Sequence, residues 1–192
     1  MRPLTVLFVC TGNTCRSPLA AGIARLLLPR GEVRFLSAGL QAMPGQPASE
    51  GACAAMAERG GALDDHRARP VTLDLLQQAD WVVGMTRSHV AIFRQRFAGF
   101  YTGKVGLLGE PGRDLSATPA TPPAEEVDDP FGGSHEGYRA TARQIERLLA
   151  GWVEALAAEA DGRGGPGQED APPDRDEARR DARTDEPPEE WT

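Results

Sequence analysis

With 192 residues and 40% hydrophobic side chains, the chain is long enough to form one domain around a substantial core. The net charge of -7 is unevenly spread, because residues 161–192 carry eleven acids against five arginines and leave the remainder close to neutral. That balance excludes the concentrated basic face a nucleic-acid ligand requires, and no run of residues is apolar for long enough to enter a bilayer.

Leu4–Val9 is a short run rich in Leu and Val, as expected of a strand buried on both faces of a parallel sheet. Met1 precedes it too closely for a signal peptide's apolar core, and three cysteines without an export signal point to a reducing cytoplasm. All three are expected to be thiols, with Cys53 buried in the core. After a polar loop, Leu19, Ile23, Leu26 and Leu27 recur at helical spacing, with Ser17 at the cap position and Pro18 in the first turn.

Val33–Leu36 reads as a second strand running into Ser37-Ala-Gly39, and Ala48–Arg59 as a helix stopped by Gly60-Gly61. Ala79–Met85 reads as a third strand, Ser88–Phe97 as a helix and Lys104–Leu108 as a fourth strand. A Pro-rich acidic loop leads to Pro130, and a long helix then aligns Tyr138, Ile145, Leu148, Leu149, Trp152 and Leu156 on one face. Alternating strands and helices predict an α/β fold with a parallel sheet, helices on both faces and right-handed crossovers. The expected domain is 1–160. Residues 161–192 are half charged, with five Pro and four Gly, and read as a disordered tail or a docking segment.

In such a sheet, ligands sit beyond the carboxyl ends of the strands, which directs attention to Cys10-Thr-Gly-Asn-Thr-Cys-Arg16-Ser17-Pro18. A cysteine and an arginine five residues apart, between a strand and a helix start, allow the loop to curl its N–H groups into an anion nest. Thr11, Gly12, Asn13, Thr14 and Cys15 would supply the amides, with Gly12 permitting the tight turn. Arg16 would grip two oxygens through its planar fork. Cys10 at the centre would lie in positive potential that favours the thiolate nucleophile, and Ser17 would donate a hydrogen bond to the sulfur. Leaving-group protonation requires an acid from elsewhere. Asp129 is held extended by Pro130 and is the candidate, with Asp128 as its rival.

These segments resemble the low-molecular-weight protein-tyrosine phosphatase family over about Leu4 to Trp152. The shared motifs are Val6–Pro18, Ser37-Ala-Gly39, Asp65-His-Arg-Ala-Arg69, Ala79-Asp80 through Met85-Thr-Arg-Ser-His89, Leu107–Glu110 and Asp129-Pro-Phe-Gly-Gly-Ser134. The resemblance implies a three-layer sandwich with a four-stranded parallel sheet in the order 2-1-3-4. It also implies a two-step mechanism with no metal or cofactor, in which Asp129 serves as acid and then base. Further implications are a polar network of Asn13, Ser17, Ser37 and His66 supporting the loop, and a reversible Cys10–Cys15 disulfide under oxidation.

Within the family the loop Cys-Thr-Gly-Asn-Thr-Cys and the segment Asp-Pro-Phe-Gly-Gly-Ser are most similar to bacterial protein-arginine phosphatases. Thr14 stands where tyrosine-directed relatives commonly carry an apolar residue, and so becomes the specificity candidate. The expected partner is a phosphorylated protein, carrying phosphoarginine or phosphotyrosine, and the expected state is a monomer. An arsenate reductase of the same fold needs redox cysteines late in the chain, and none follows Cys53. No Gly-rich loop ends in Gly-Lys-Ser/Thr, which excludes a P-loop nucleotidase. A phosphate-binding adaptor without catalysis is the remaining alternative.

Overall fold

The computed structural model of the protein describes residues 2–29, 31, 33–116 and 124–163. Strands β1 (Leu4–Cys10), β2 (Val33–Gly39), β3 (Trp81–Gly84) and β4 (Lys104–Leu107) form one parallel sheet in the order β2-β1-β3-β4. The register runs from Leu4 opposite Val33 to Cys10 opposite Gly39, so β1 and β2 end together. Among the described residues five helices join and flank the strands: α1 (Arg16–Leu27), α2 (Glu50–Ala57), α3 (Leu73–Gln78), α4 (Arg87–Phe97) and α5 (His135–Arg163).

Every residue of β1 is buried, because the sheet is covered on both faces. Val6, Phe8 and Cys10 pack into a core with Leu19 and Ile23 of α1, Met56 of α2, and Ile145, Leu149 and Trp152 of α5. Leu7 and Val9 alternate to the other face, among Leu75 and Leu76 of α3 and Val90 and Phe93 of α4. Burial of side chains this size stabilises the fold by about 1.5–3 kcal/mol each, which makes β1 the spine of the three layers. Gly106 of β4 leaves room for the Trp152 ring, which a Cβ there would meet at 2.6 Å. Trp152 then packs edge-on against Trp81 at 5.0 Å between centroids and donates its indole N–H to the Leu108 carbonyl at 2.9 Å.

Several expectations shift. The first helix starts at Arg16, so Ser17 lies inside its opening turn and is not its cap; Cys15 holds the N-cap position without a side-chain capping bond. Leu26 and Leu27, expected on the buried face, are 44% and 38% exposed because the last turn of α1 overhangs the layer that Arg16–Ala24 cover. Cys53 is half-buried at the rim of the core. The six-residue α3 is too short to show a period in sequence, although Thr72 caps it by accepting the Leu75 N–H at 3.3 Å. The expected boundary at residue 160 falls within α5, which runs on to Arg163. Residues 164–192 of the expected tail, and 117–123 of the Pro-rich loop, lie outside the described residues. Among the described residues no helix is long and apolar enough to cross a membrane.

Candidate active site

β1 is flanked by β2 on one side and β3 on the other, and Cys10 is its last residue, so the loop that follows opens at the switch point of the sheet. Residues 11–15 span from the end of β1 to the start of α1. The sharp reversal within that loop falls on Asn13, whose φ of 57 makes it the one described non-glycine residue in the left-handed region. Gly12 has no such φ, and a Cβ on it would meet Thr14 Oγ1 at an ordinary 3.6 Å. The expected tight turn at Gly12 is therefore made one residue later, by a side chain that tolerates left-handed backbone when it can bond locally.

Asn13 is fully buried and every polar group on it is engaged. Its backbone N–H donates to Cys10 Sγ at 3.3 Å, its Nδ2 to Ser17 Oγ at 2.9 Å, and its Oδ1 accepts the Arg69 N–H at 3.0 Å. Its carbonyl accepts from His66 Nε2 at 2.7 Å, and burial lowers the His66 pKa, which favours the neutral imidazole. Ser37 reaches the same group through its carbonyl, which accepts Arg69 Nε at 3.0 Å. From below, Gly39 supports the loop by having no side chain: a Cβ there would lie 2.7 Å from the Thr11 carbonyl and 3.0 Å from the Asn13 nitrogen.

Cys10 Sγ lies 3.0 Å from Ser17 Oγ, which is also 3.3 Å from the Ala38 carbonyl. Because Ser17 Oγ already accepts from Asn13, its single proton goes either to the sulfur or to that carbonyl. A thiol on Cys10 donates to Ser17 and sends the serine proton to Ala38; a thiolate draws it back. The N–H groups of Thr11, Gly12, Thr14 and Cys15 donate to no protein acceptor among the described residues, at the N-terminal end of α1, where positive potential gathers.

Arg16 is buried, and its Nη2 meets Asp129 Oδ2 at 2.6 Å, while Asp129 keeps 53% of its side chain exposed. Asp129 Oδ1 accepts the Phe131 N–H at 3.2 Å, which holds the carboxylate over the loop. Asp128 does not line the opening described next; its backbone is tied to α5, with its N–H on Gln144 Oε1 and its carbonyl accepting from Thr141. A cavity of about 310 Å³ joins these groups, lined by Cys10, Thr11, Gly12, Thr14, Cys15, Arg16, Gln41, Met43, Gln46, Asp129 and Phe131. The structure thus brings the expected nucleophile, loop, cation and acid to one opening, with Asn13, Ser17 and His66 behind it. The cysteines are free, and Cys15 Sγ contacts Ser49 Oγ at 3.2 Å and Tyr138 OH at 3.6 Å.

His89 is a functional neighbour to which no role was given from sequence. It is buried, pairs through Nε2 with Thr11 Oγ1 at 3.0 Å and through Nδ1 with Thr86 Oγ1 at 2.8 Å. Burial first, and then the Arg16 charge, bring its pKa down to about 4. The available signal was its place in Met85-Thr-Arg-Ser-His89, directly after a strand that ends beside β1.

Comparison with known proteins agrees with this geometry. The family model described as "Low molecular weight phosphotyrosine protein phosphatase" matches residues 5–161. The protein-arginine-phosphatase of Bacillus subtilis is 38% identical over 148 residues, covering 76% of this chain and 92% of that protein. The probable low molecular weight protein-tyrosine-phosphatase AmsI of Erwinia amylovora is 31% identical, covering 80% of this chain and 97% of AmsI. A solved structure of the YwlE arginine phosphatase, carrying a phosphorylated active-site serine in place of cysteine, superposes with a TM-score of 0.69 at 33% identity. It covers 80% of this chain and 96% of that one.

Proposed function

The chain belongs to the low molecular weight phosphotyrosine protein phosphatase family, and we propose that within it this protein acts on phosphoarginine in preference to phosphotyrosine. It is a cysteine phosphatase of phosphorylated proteins that works through a phosphocysteine intermediate. In the proposed assignment Cys10 Sγ attacks phosphorus while the P–N bond to the arginine breaks, and Asp129 gives its proton to the departing nitrogen. Water then attacks the phosphocysteine, passing a proton to Asp129 as the S–P bond breaks. Inorganic phosphate leaves, and the sulfur departs as a thiolate that takes up the Ser17 hydrogen bond.

Through both steps Arg16 and the amides of Thr11, Gly12, Thr14 and Cys15 would hold the phosphoryl oxygens, where most of the barrier reduction in such reactions arises. Arg16 releases Asp129 when it turns to phosphate, which lets Asp129 take up from solvent the proton that it passes to the leaving group. The three thiols fit a reducing cytoplasm, and the proposed working state is a monomer.

The observation that carries the substrate preference is Thr14 in a cavity wall that also includes Gln41 and Gln46. A hydroxyl and two amides offer hydrogen bonds to a guanidinium, whereas an aryl leaving group gains little from them. The greater identity to the Bacillus protein-arginine-phosphatase than to AmsI points the same way. The test is kcat/KM on matched peptides carrying phosphoarginine or phosphotyrosine. Wild type should favour phosphoarginine, and Thr14→Ile should narrow or reverse the ratio; equal or better turnover of phosphotyrosine by wild type defeats the preference. Cys10→Ser should be inert, and a wild type that binds phosphate without turnover would return the adaptor reading.

A further inference from the structure

β2 is an edge strand, and its free carbonyls are covered by side chains instead of by another strand. Arg25 Nη2 donates to the Phe35 carbonyl at 2.7 Å and Arg69 Nε to the Ser37 carbonyl at 3.0 Å, two positions along the same edge. Arg34, one residue before Phe35 on the same strand, reaches only Gln78 Oε1 among the described residues, at 3.2 Å. Such cover blunts an edge against pairing with foreign strands. It also gathers three guanidinium charges, none of which forms an ion pair with a carboxylate among the described residues. Burial and the neighbouring Arg69 charge hold Arg25 below the usual arginine range, and burial and Arg34 do the same to Arg69. A groove of about 470 Å³ opens at the lower end of this row, walled by Arg25, Leu28, Pro29, Val33, Arg34 and Leu36.

We propose that residues 164–192 of this chain dock on that arginine row, with Trp191 in the groove and the flanking carboxylates on Arg25, Arg34 and Arg69. The segment carries ten carboxylates against four arginines, and Trp191, its one large apolar side chain, directly follows Glu189-Glu190. It leaves the fold at the correct end. Near the close of α5, Glu159 meets Trp81 Nε1 and Lys104 Nζ, the first residues of β3 and β4. The same end of the sheet carries Val33 and Arg34, which open β2, and the last turn of α1 above Leu28. A flexible chain of this length spans roughly 30 Å on average, about the diameter of a domain this size. Docking in cis therefore needs no extension of the segment. Arg25 and Arg69 each use one donor on the strand and Arg34 one on Gln78, and all three retain others for a carboxylate, so edge cover and docking are compatible.

The test is acrylamide quenching of the full chain, with the Trp191 contribution isolated by subtracting W191F. Trp81 and Trp152 are 2% and 0% exposed and supply a constant, slowly quenched background. In low salt Trp191 should quench several-fold more slowly than free N-acetyltryptophanamide. Half-molar NaCl and the R25Q/R34Q double variant should each restore the free rate, since screening shortens the reach of these charges to a few ångströms. R34Q alone guards against a folding defect, because Arg34 bonds only to Gln78, and it should give a partial release at an unchanged urea midpoint. Free-rate quenching of Trp191 in low salt overturns the proposal, as does protection that ignores R25Q/R34Q. So does a β2 edge whose amides respond to an added poly-glutamate peptide while Trp191 stays free, an outcome that assigns the surface to a partner in trans.

Discussion

Lowering the pH from 7 to 5 should destabilise this protein through His89, by an amount the structure sets. His89 is wedged between Thr11 of the loop and Thr86 at the cap of α4, and its folded pKa is about 4 against an ordinary 6.5. The unfolded chain therefore takes up the proton first, so it binds more protons than the native state and stability falls as the pH falls. The loss begins near pH 6.5, continues towards 4, and is absent above neutrality. Integrating the difference in binding between pH 7 and pH 5 gives about 2 kcal/mol from this residue alone. Burial lowers His66 as well, which adds loss of the same sign. Urea unfolding of wild type and H89Q at the two pH values isolates the His89 share, because glutamine offers Thr11 and Thr86 a donor and an acceptor without titrating. Wild type should lose about 2 kcal/mol more than H89Q over this interval. Equal losses would refute the claim that a neutral imidazole is built into the floor of the site.

Asn13→Ala should cost about 2–3 kcal/mol, since it forces alanine into left-handed backbone and strips the partners of Ser17 and Arg69; Asn13→Gly, which keeps the backbone, should recover roughly 1 kcal/mol in the same denaturation assay. Gly39→Ala should lower kcat/KM more than stability, because the new methyl meets the Thr11 carbonyl and Asn13 nitrogen and displaces the loop, at about 1–3 kcal/mol of packing cost. Asp129→Asn should lower kcat on phosphoarginine roughly 100- to 10,000-fold, and much less on p-nitrophenyl phosphate, whose leaving group departs without a proton; equal losses on the two substrates would remove Asp129 from the acid role.

The sheet and the loop were legible in sequence for different reasons. β1 and the loop after it are contiguous, so strand, turn and helix start announce themselves within fifteen residues. Asp129 could be named because Pro130 constrains it, but what separates it from Asp128 is its place in the cavity wall and its bond to Arg16, 113 residues earlier. The turn was assigned to Gly12 on conformational freedom alone. In the fold Asn13 takes that role because Arg69, His66 and Ser17 satisfy its polar groups, and those partners are distant in sequence. His89 went unassigned for the same reason, since its importance lies in a threonine 78 residues earlier. The last turn of α1 kept its apolar periodicity but ran past the layer it was expected to cover.

The Glu159 clasp on Trp81 and Lys104 gives the molecule a polarity with a practical consequence. The Cys10 loop opens where the strands finish, whereas α5 ends where they start, roughly 23 Å away along a seven-residue strand. Cargo, a surface tether or a fluorescent reporter appended beyond Arg163 would therefore hang from the floor of the enzyme and leave its mouth clear for bulky phosphoproteins.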